Sequence, residues 1–359
     1  MLLKTPVEVF WCLTNRCNNV SQLRRDASCA VEVFWCLTDR CNMACNFCLS
    51  ESDLEIRDHE LDAEKRALIL EDLIQCRVLK VYLTGGEPLL IPETLDYVGR
   101  LRENGIFTVL TTNGILLDPA TVQGLKDYGL NRIQVSLHGS RPEINDAIMG
   151  GHAFDRIIKA LGWIHDAGLD LHIKVTITRE NIHDLSRLVH KLLPFEPSLI
   201  NASEMTPTGR GFLNYESLRP LEKELREAMD SIRSLNEMGV KVSFRNHTLF
   251  FNEIGRPSTC TVGSETASTC LIMPDGNMTP CTPAHVWGLS NNVLEYGIQG
   301  AWEQIPLYAQ FLQVENLHGR CRGCESLHEC KGGCRAEAYL RTDDVWGEYA
   351  PCVRLSQTK

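Results

Sequence analysis

Cys41, Cys45 and Cys48 stand in a C-x3-C-x2-C spacing directly after an apolar run, Val31 to Leu37, with Phe47 just before the third cysteine. Three thiolates on one short loop form an iron–sulfur ligand set that lacks its fourth member. A cubane held by three protein ligands leaves one iron open to an exogenous ligand. On spacing alone, a structural zinc knuckle or reduced core thiols remain alternatives. A second set lies in the tail: Cys260-x15-Gly276-x4-Cys281, then Cys321-x2-Cys324-x5-Cys330-x3-Cys334, then Cys352. Of the 16 cysteines, seven fall between Cys12 and Cys48 and eight between Cys260 and Cys352, with only Cys76 between the groups. Two separate metal-binding regions follow from that distribution.

The bulk properties fit this chemistry. The 359 residues suffice for one large core and a smaller one, and 43 % apolar with 23 % charged residues is ordinary for a globular protein. A net charge of −10 disfavours a general nucleic-acid-binding surface. No apolar run approaches the roughly 20 residues needed to span a bilayer, and the N-terminal stretch lacks the features of a signal peptide. No membrane partner is therefore expected, and the expected location is cytoplasmic. There thiols stay reduced, so the cysteines read as metal ligands rather than disulfides.

The elements that must hold these residues alternate between strand and helix. Val78 to Leu83 is a β-rich run ending in Thr84-Gly85-Gly86-Glu87-Pro88, and Ile106 to Thr111 ends in Thr112-Asn113-Gly114. Arg132 to Leu137 ends in His138-Gly139, Leu171 to Thr178 follows, and Ser198 to Met205 runs into Pro207-Thr208-Gly209-Arg210-Gly211. Helical spacing predicts helices over 58–77, 95–104, 120–128, 154–167 and 182–193. Counting Val31 to Leu37, that gives six strands with helices between them, hence an α/β fold with a parallel sheet. Active groups in such barrels gather at strand C-terminal ends, where all these motifs fall. Arg219 to Met238 reads as one more helix and Val240 to Arg245 as a further short strand. Val7 to Asn18 nearly repeats Val31 to Asn42 at an offset of 24, but Ser21 and Arg24 replace the second and third cysteines. That copy cannot hold a three-thiolate cluster, so the second copy is expected to form the first strand.

The three-cysteine loop, followed after one helix and one strand by Gly-Gly-Glu-Pro, resembles the radical S-adenosylmethionine (SAM) superfamily. The tail spacings, with the local words MPDGNMTPC and CKGGCRAEAY, resemble its SPASM extension. The resemblance covers Val31 to Cys352 and implies a partial (β/α)6 TIM-like barrel with a small C-terminal cysteine-rich domain. The corresponding organisation is 1–30, an N-terminal extension with a partial duplication; 31–255, the barrel; and 256–359, the SPASM domain. It further implies a [4Fe–4S] cluster on Cys41, Cys45 and Cys48, with the methionyl group of SAM on the open iron. Two auxiliary [4Fe–4S] clusters are implied as well. One takes Cys321, Cys324, Cys330 and Cys352; the other takes Cys260, Cys281 and Cys334, with Cys270 as fourth ligand or else as a buried thiol. Gly85, Gly86 and Glu87 become candidates for binding the methionyl amine, with Glu87 meeting the ammonium. Ser136 and Thr176 become candidates for the ribose or carboxylate, and Phe47 for a cofactor contact. His138 is either a proton donor near the substrate or a strand cap. Glycine turns such as Lys331-Gly332-Gly333 are expected to bring backbone amides to the cluster sulfurs.

The implied activity is reductive cleavage of SAM and hydrogen abstraction from a substrate, most often a ribosomal peptide or protein side chain. A tetrapyrrole or small molecule is the alternative substrate, and a non-catalytic iron–sulfur carrier the alternative class. No catalytic side-chain nucleophile is required. The expected partners are the substrate, an electron donor such as a flavodoxin or ferredoxin, and a separate peptide-recognition protein. Peptide recognition is otherwise expected at the barrel mouth or on the SPASM surface, since no extra N-terminal domain stands in the sequence.

Overall fold

The structure, a computed structural model, describes residues 32–55, 57–245, 269–281, 284, 291–304, 313–349 and 352. The first copy of the repeated segment and Cys260 lie outside the described residues. The second copy does form the first strand, β1 (Glu32–Cys36). Then follow α1 (Ala63–Gln75), β2 (Lys80–Thr84), α2 (Thr94–Glu103), β3 (Phe107–Thr112), α3 (Pro119–Asp127), β4 (Arg132–Ser136), α4 (Pro142–Met149), α5 (Phe154–Ala167), β5 (Leu171–Ile177), α6 (Leu185–Leu192) and β6 (Leu199–Glu204).

Strands β1 to β6 pair in chain order, all parallel. The strand expected over 240–245 joins them as β7 (Val242–Arg245), after α7 (Glu222–Glu237), and it too runs parallel to its neighbour. On the other side of β1 the sheet continues into the cysteine-rich region. There β8 (Thr269–Ile272) pairs parallel with β1, and β9 (Asn277–Thr279) and β10 (Asn291–Asn292) follow antiparallel. The ten strands form one sheet with β7 and β10 at its edges, a partial barrel in which β1 is central.

Alternation decides which side chains meet the helices. Val33 and Trp35 of β1, Val81 and Leu83 of β2, Ile133 and Val135 of β4, and Ile173, Val175 and Ile177 of β5 are buried against them. Helix α5 offers Phe154, Ile157, Ala160, Leu161 and Ile164, one stripe at helical spacing, to the same core. Each such side chain contributes roughly 1.5–3 kcal/mol on burial. Helix α1 begins at Ala63 rather than near Asp58, because the Asp62 carboxylate accepts the Lys65 N–H and caps it there. The alternate positions are largely polar, Lys80, Gln134 and Lys174 among them, with Phe34 stacked on Tyr82. At the strand N-terminal ends they pair with one another: Lys80 with Glu32 at 4.0 Å and Arg132 with Asp170 at 2.7 Å.

From β10 the chain turns straight into α8 (Val293–Glu303), which packs on α1 through a bond from the Ile298 N–H to the Asp72 carboxylate, 2.6 Å. The four-cysteine run that follows is built of short helical turns, then α9 (Arg335–Thr342). No helix among the described residues is long and apolar enough to cross a membrane.

Candidate functional site

The loop after β1 has little regular structure of its own and is held by its neighbours. Glu60 takes the Thr38 hydroxyl and the Asp39 N–H, both at 2.8 Å, and Cys41 donates its N–H to the Asp53 carbonyl, 2.5 Å. The turn after β2 lies against it: the Gly86 N–H donates to Thr38 O at 2.7 Å and the Glu87 N–H to Arg40 O at 2.8 Å. A Cβ on Gly85 would come within 2.5 Å of Thr38 O, and one on Gly86 would collide with Arg40 O. Gly85 also has φ +135°, which an L side chain rarely adopts. The glycines therefore permit close approach of backbone to backbone, the turn docking on the cysteine loop.

Two further segments clamp the loop from the other side. From the segment after β6, the Arg210 guanidinium donates to Cys45 O at 2.9 Å and Ser52 O at 2.7 Å, while Gly209 lies against the Cys48 and Leu49 carbonyls. Asn214 donates to Asn46 O at 2.9 Å. From the end of α4, the Ile148 carbonyl accepts the Asn46 N–H at 3.1 Å, and Gly150 packs on Ala44 O. Arg210 and Gly209 belong to a strand-end motif visible in the sequence, but only the fold shows that they grip the loop.

The thiols of Cys41, Cys45 and Cys48 act on one another electrostatically. Burial, foremost, pushes Cys41 up to about 11 and Cys45 up to about 12. At these positions the thiolate needs strong positive charge beside it, which iron supplies. Among the described residues, no three His, Cys, Asp or Glu side chains converge on a point fit for a single metal ion. A cubane offers its irons at separate corners, so its thiolates stand further apart than the ligands of one ion. The three-cysteine loop has the donor chemistry and the backbone support for such a group.

Glu87, expected to meet an ammonium, is fully buried. Its carboxylate accepts the Leu89 N–H at 3.1 Å, the Thr112 hydroxyl at 2.8 Å and the Asn113 N–H at 2.8 Å. Three of roughly four acceptor directions are thus filled from within the chain. Burial still raises its pKa to about 7, against the lowering effect of these bonds. Ser136 and Thr176 lie at barrel-facing positions near the C-terminal ends of β4 and β5, and neither hydroxyl makes a hydrogen bond among the described residues. Phe47 packs on Met205, Tyr215 and Leu218 and meets the His138 ring edge-on at 4.8 Å. His138 accepts the Thr176 N–H on Nδ1 at 3.0 Å, so in the neutral ring the proton sits on Nε2. It ties β4 to β5. Burial, and after it the Lys174 ammonium, lowers its pKa to about 3.

In the tail, Cys321, Cys330 and Cys352 act on one another electrostatically. The Gly332 and Gly333 backbone amides donate to the Cys330 sulfur, and the Tyr349 amide to that of Cys321. Gly332 and Gly333 sit at φ +80° and +73°, which frees those amides to turn inward. Cys324 is half-buried in the same run, and Cys334 lies close enough to Tyr349 to act on it electrostatically. Cys281 packs half-buried against the barrel core. Cys270, read in the sequence as a fourth ligand or else as a buried thiol, stands apart from the other tail cysteines. It sits on β8 opposite Val33, fully buried in the apolar core, and burial alone raises its thiol pKa.

Residues 35–192 match the Radical SAM superfamily. That span is the chain's radical SAM domain and runs from the end of β1 through α6. Radical SAM relatives match it over most of their length. The PqqA peptide cyclase of Methylocella silvestris is 27 % identical over 306 residues, 84 % of this chain and 82 % of that one. The mycofactocin maturase MftC of Mycolicibacterium smegmatis is 28 % identical over 344 residues, 93 % and 85 % of the two chains. Among solved structures, Streptococcus suis SuiB bound to S-adenosylmethionine superposes with a TM-score of 0.74 at 20 % identity, covering 98 % of this chain and 84 % of that one. That likeness is one of fold. The radical SAM assignment makes the chain an enzyme of that type and implies SAM and a [4Fe–4S] cluster.

Proposed function

We propose that this radical SAM enzyme matures a ribosomally made peptide. The observation that carries this reading is the extent of the match to the PqqA peptide cyclase and MftC, over 80 % of both partners in each case. In support, a structure of SuiB is described as bound to its precursor peptide SuiA. When bound, the cluster and SAM supply a 5′-deoxyadenosyl radical that removes a hydrogen from an unactivated carbon.

The chain's own residues do the rest. Cys41, Cys45 and Cys48 hold the cluster, with Gly85, Gly86 and Glu87 fixing the loop from one side and Arg210 from the other. The free hydroxyls of Ser136 and Thr176 face the barrel, suited to SAM's ribose or carboxylate, and Phe47 covers the cofactor. Cys321, Cys324, Cys330 and Cys352 hold one auxiliary cluster. Cys260, Cys281 and Cys334 hold the other, with Cys270 a core thiol that leaves one iron without a protein ligand. A flavodoxin or ferredoxin supplies electrons, and a separate protein presents the peptide.

The test is anaerobic turnover with dithionite, SAM and a short precursor peptide encoded beside this gene. A mass change in the peptide together with 5′-deoxyadenosine supports the reading. Turnover of a tetrapyrrole with the peptide untouched overturns it. With all three clusters loaded the chain should carry roughly twelve irons, and Cys41, Cys45 and Cys48 replaced by Ala should remove about a third of them. SAM cleavage by that triple variant would sink the cluster assignment.

A further inference from the structure

Asn113, just past the end of β3, belongs to no ligand set, yet its side chain reaches a cysteine sulfur of the loop. Its Nδ2 lies 3.7 Å from the Cys41 sulfur and 2.7 Å from Asn42 Oδ1. The orientation of the amide is fixed independently. Oδ1 accepts the Ile115 backbone N–H at 3.0 Å, and since that group only donates, the nitrogen must face the sulfur. The Asn113 backbone is pinned as well, its N–H donating to Glu87 Oε2 at 2.8 Å. The two amide hydrogens thus have one acceptor each, Asn42 and Cys41.

We propose that Asn113 is a positioning residue whose amide holds a hydrogen bond to the Cys41 sulfur and thereby raises the reduction potential of the cluster on that loop. The proposal rests on the reading of Cys41 as a cluster ligand. Its physics is electrostatic: the positive end of an N–H dipole favours the reduced, more negative cluster over the oxidised one. Hydrogen bonds to cluster sulfurs are among the determinants of iron–sulfur potentials. The geometry adds a mechanical link, because the Glu87 carboxylate that orients Asn113 also belongs to the turn docked on the loop. Asn42 takes the second amide hydrogen and supplies a built-in control.

The experiment is an EPR-monitored redox titration of the full-length, anaerobically reconstituted protein. The signal followed is the one that changes when SAM is added. Asn113→Ser removes the donor reaching the sulfur. Asn113→Asp keeps an acceptor for Ile115 while setting a carboxylate beside the cluster. Both should shift the midpoint to more negative potential, Asp further than Ser, with iron content and melting temperature close to wild type. Asn42→Ala, which leaves the bond to Cys41 in place, should keep the wild-type midpoint. Unchanged midpoints in both Asn113 variants overturn the proposal, as does an equal shift in Asn42→Ala. Loss of iron in both Asn113 variants also overturns it, since the residue would then serve assembly. Cys41→Ala is measured alongside: a SAM-responsive signal that survives there refutes the cluster reading itself and the proposal with it.

Discussion

At the scale of single residues, the fold redistributes work that the motif suggests. Glu87 sits in the most recognisable four-residue word of the barrel, yet its three hydrogen bonds all return to the chain. In Glu87→Gln one amide nitrogen must face a backbone donor, either Leu89 or Asn113. An unsatisfied buried pair of that kind costs about 1–3 kcal/mol. The variant should melt earlier while its SAM dissociation constant stays within about threefold of wild type. A loss of affinity beyond about tenfold would restore the direct ammonium contact. His138 gives a pH signature. Its folded pKa, about 3, lies below the ordinary imidazole value of 6.5, so the unfolded chain binds the proton first as pH falls. The stability tied to the neutral ring is complete above pH 6.5 and is lost progressively as pH falls through about 3. In His138→Gln, urea unfolding should show lower stability at neutral pH and a shallower decline over that window. An equally steep decline would mean that other groups carry the acid sensitivity.

At the scale of elements, the cysteine loop is a passive strand-to-helix connection made rigid by three neighbours: the turn after β2, the end of α4 and the segment after β6. The sharpest contact is at Gly86, where any side chain meets the Arg40 carbonyl. Gly86→Ala should displace the loop and lower iron retention on the first cluster, leaving tail iron in place. Full iron content in that variant would remove the turn's role as a strap. The parallel strands were legible in the sequence because apolar runs end abruptly in Gly, Thr and Asn, and the loop's three cysteines because their spacing is a local property. The clamps were not legible. Arg210 and Cys45 are 165 positions apart, and nothing local to either one announces a partner. Cys270 left two readings open for a related reason. It stands near Gly276 and Cys281 in sequence, but residues 269–272 pair with β1, and pairing sends its side chain to the helix-facing core. Spacing suggests ligands, whereas register decides which face a side chain takes.

At the scale of the whole molecule, that same pairing joins the two cysteine-bearing regions. Strand β1 has β2 on one side and β8 on the other, in register from Glu32↔Thr269 to Trp35↔Ile272. Helix α8 packs on α1 over the same edge, so Cys270, Ile272, Val293 and Ile298 share one apolar core with Val33 and Trp35. A barrel ended at residue 255 would therefore lose more than its tail. The edge of β1 would present unpaired backbone groups beside a newly exposed apolar face, the condition that drives edge-to-edge association. A fragment spanning 31–255 should elute as aggregate on size exclusion. A fragment spanning 31–304, which keeps β8 to β10 and α8 but lacks the four-cysteine run, should elute as a discrete folded species. The comparison separates edge protection from cluster content, because the longer fragment still lacks Cys321, Cys324, Cys330, Cys334 and Cys352. A monodisperse 31–255 fragment with native-like circular dichroism would show that the barrel closes on its own and that β8 merely rests against it.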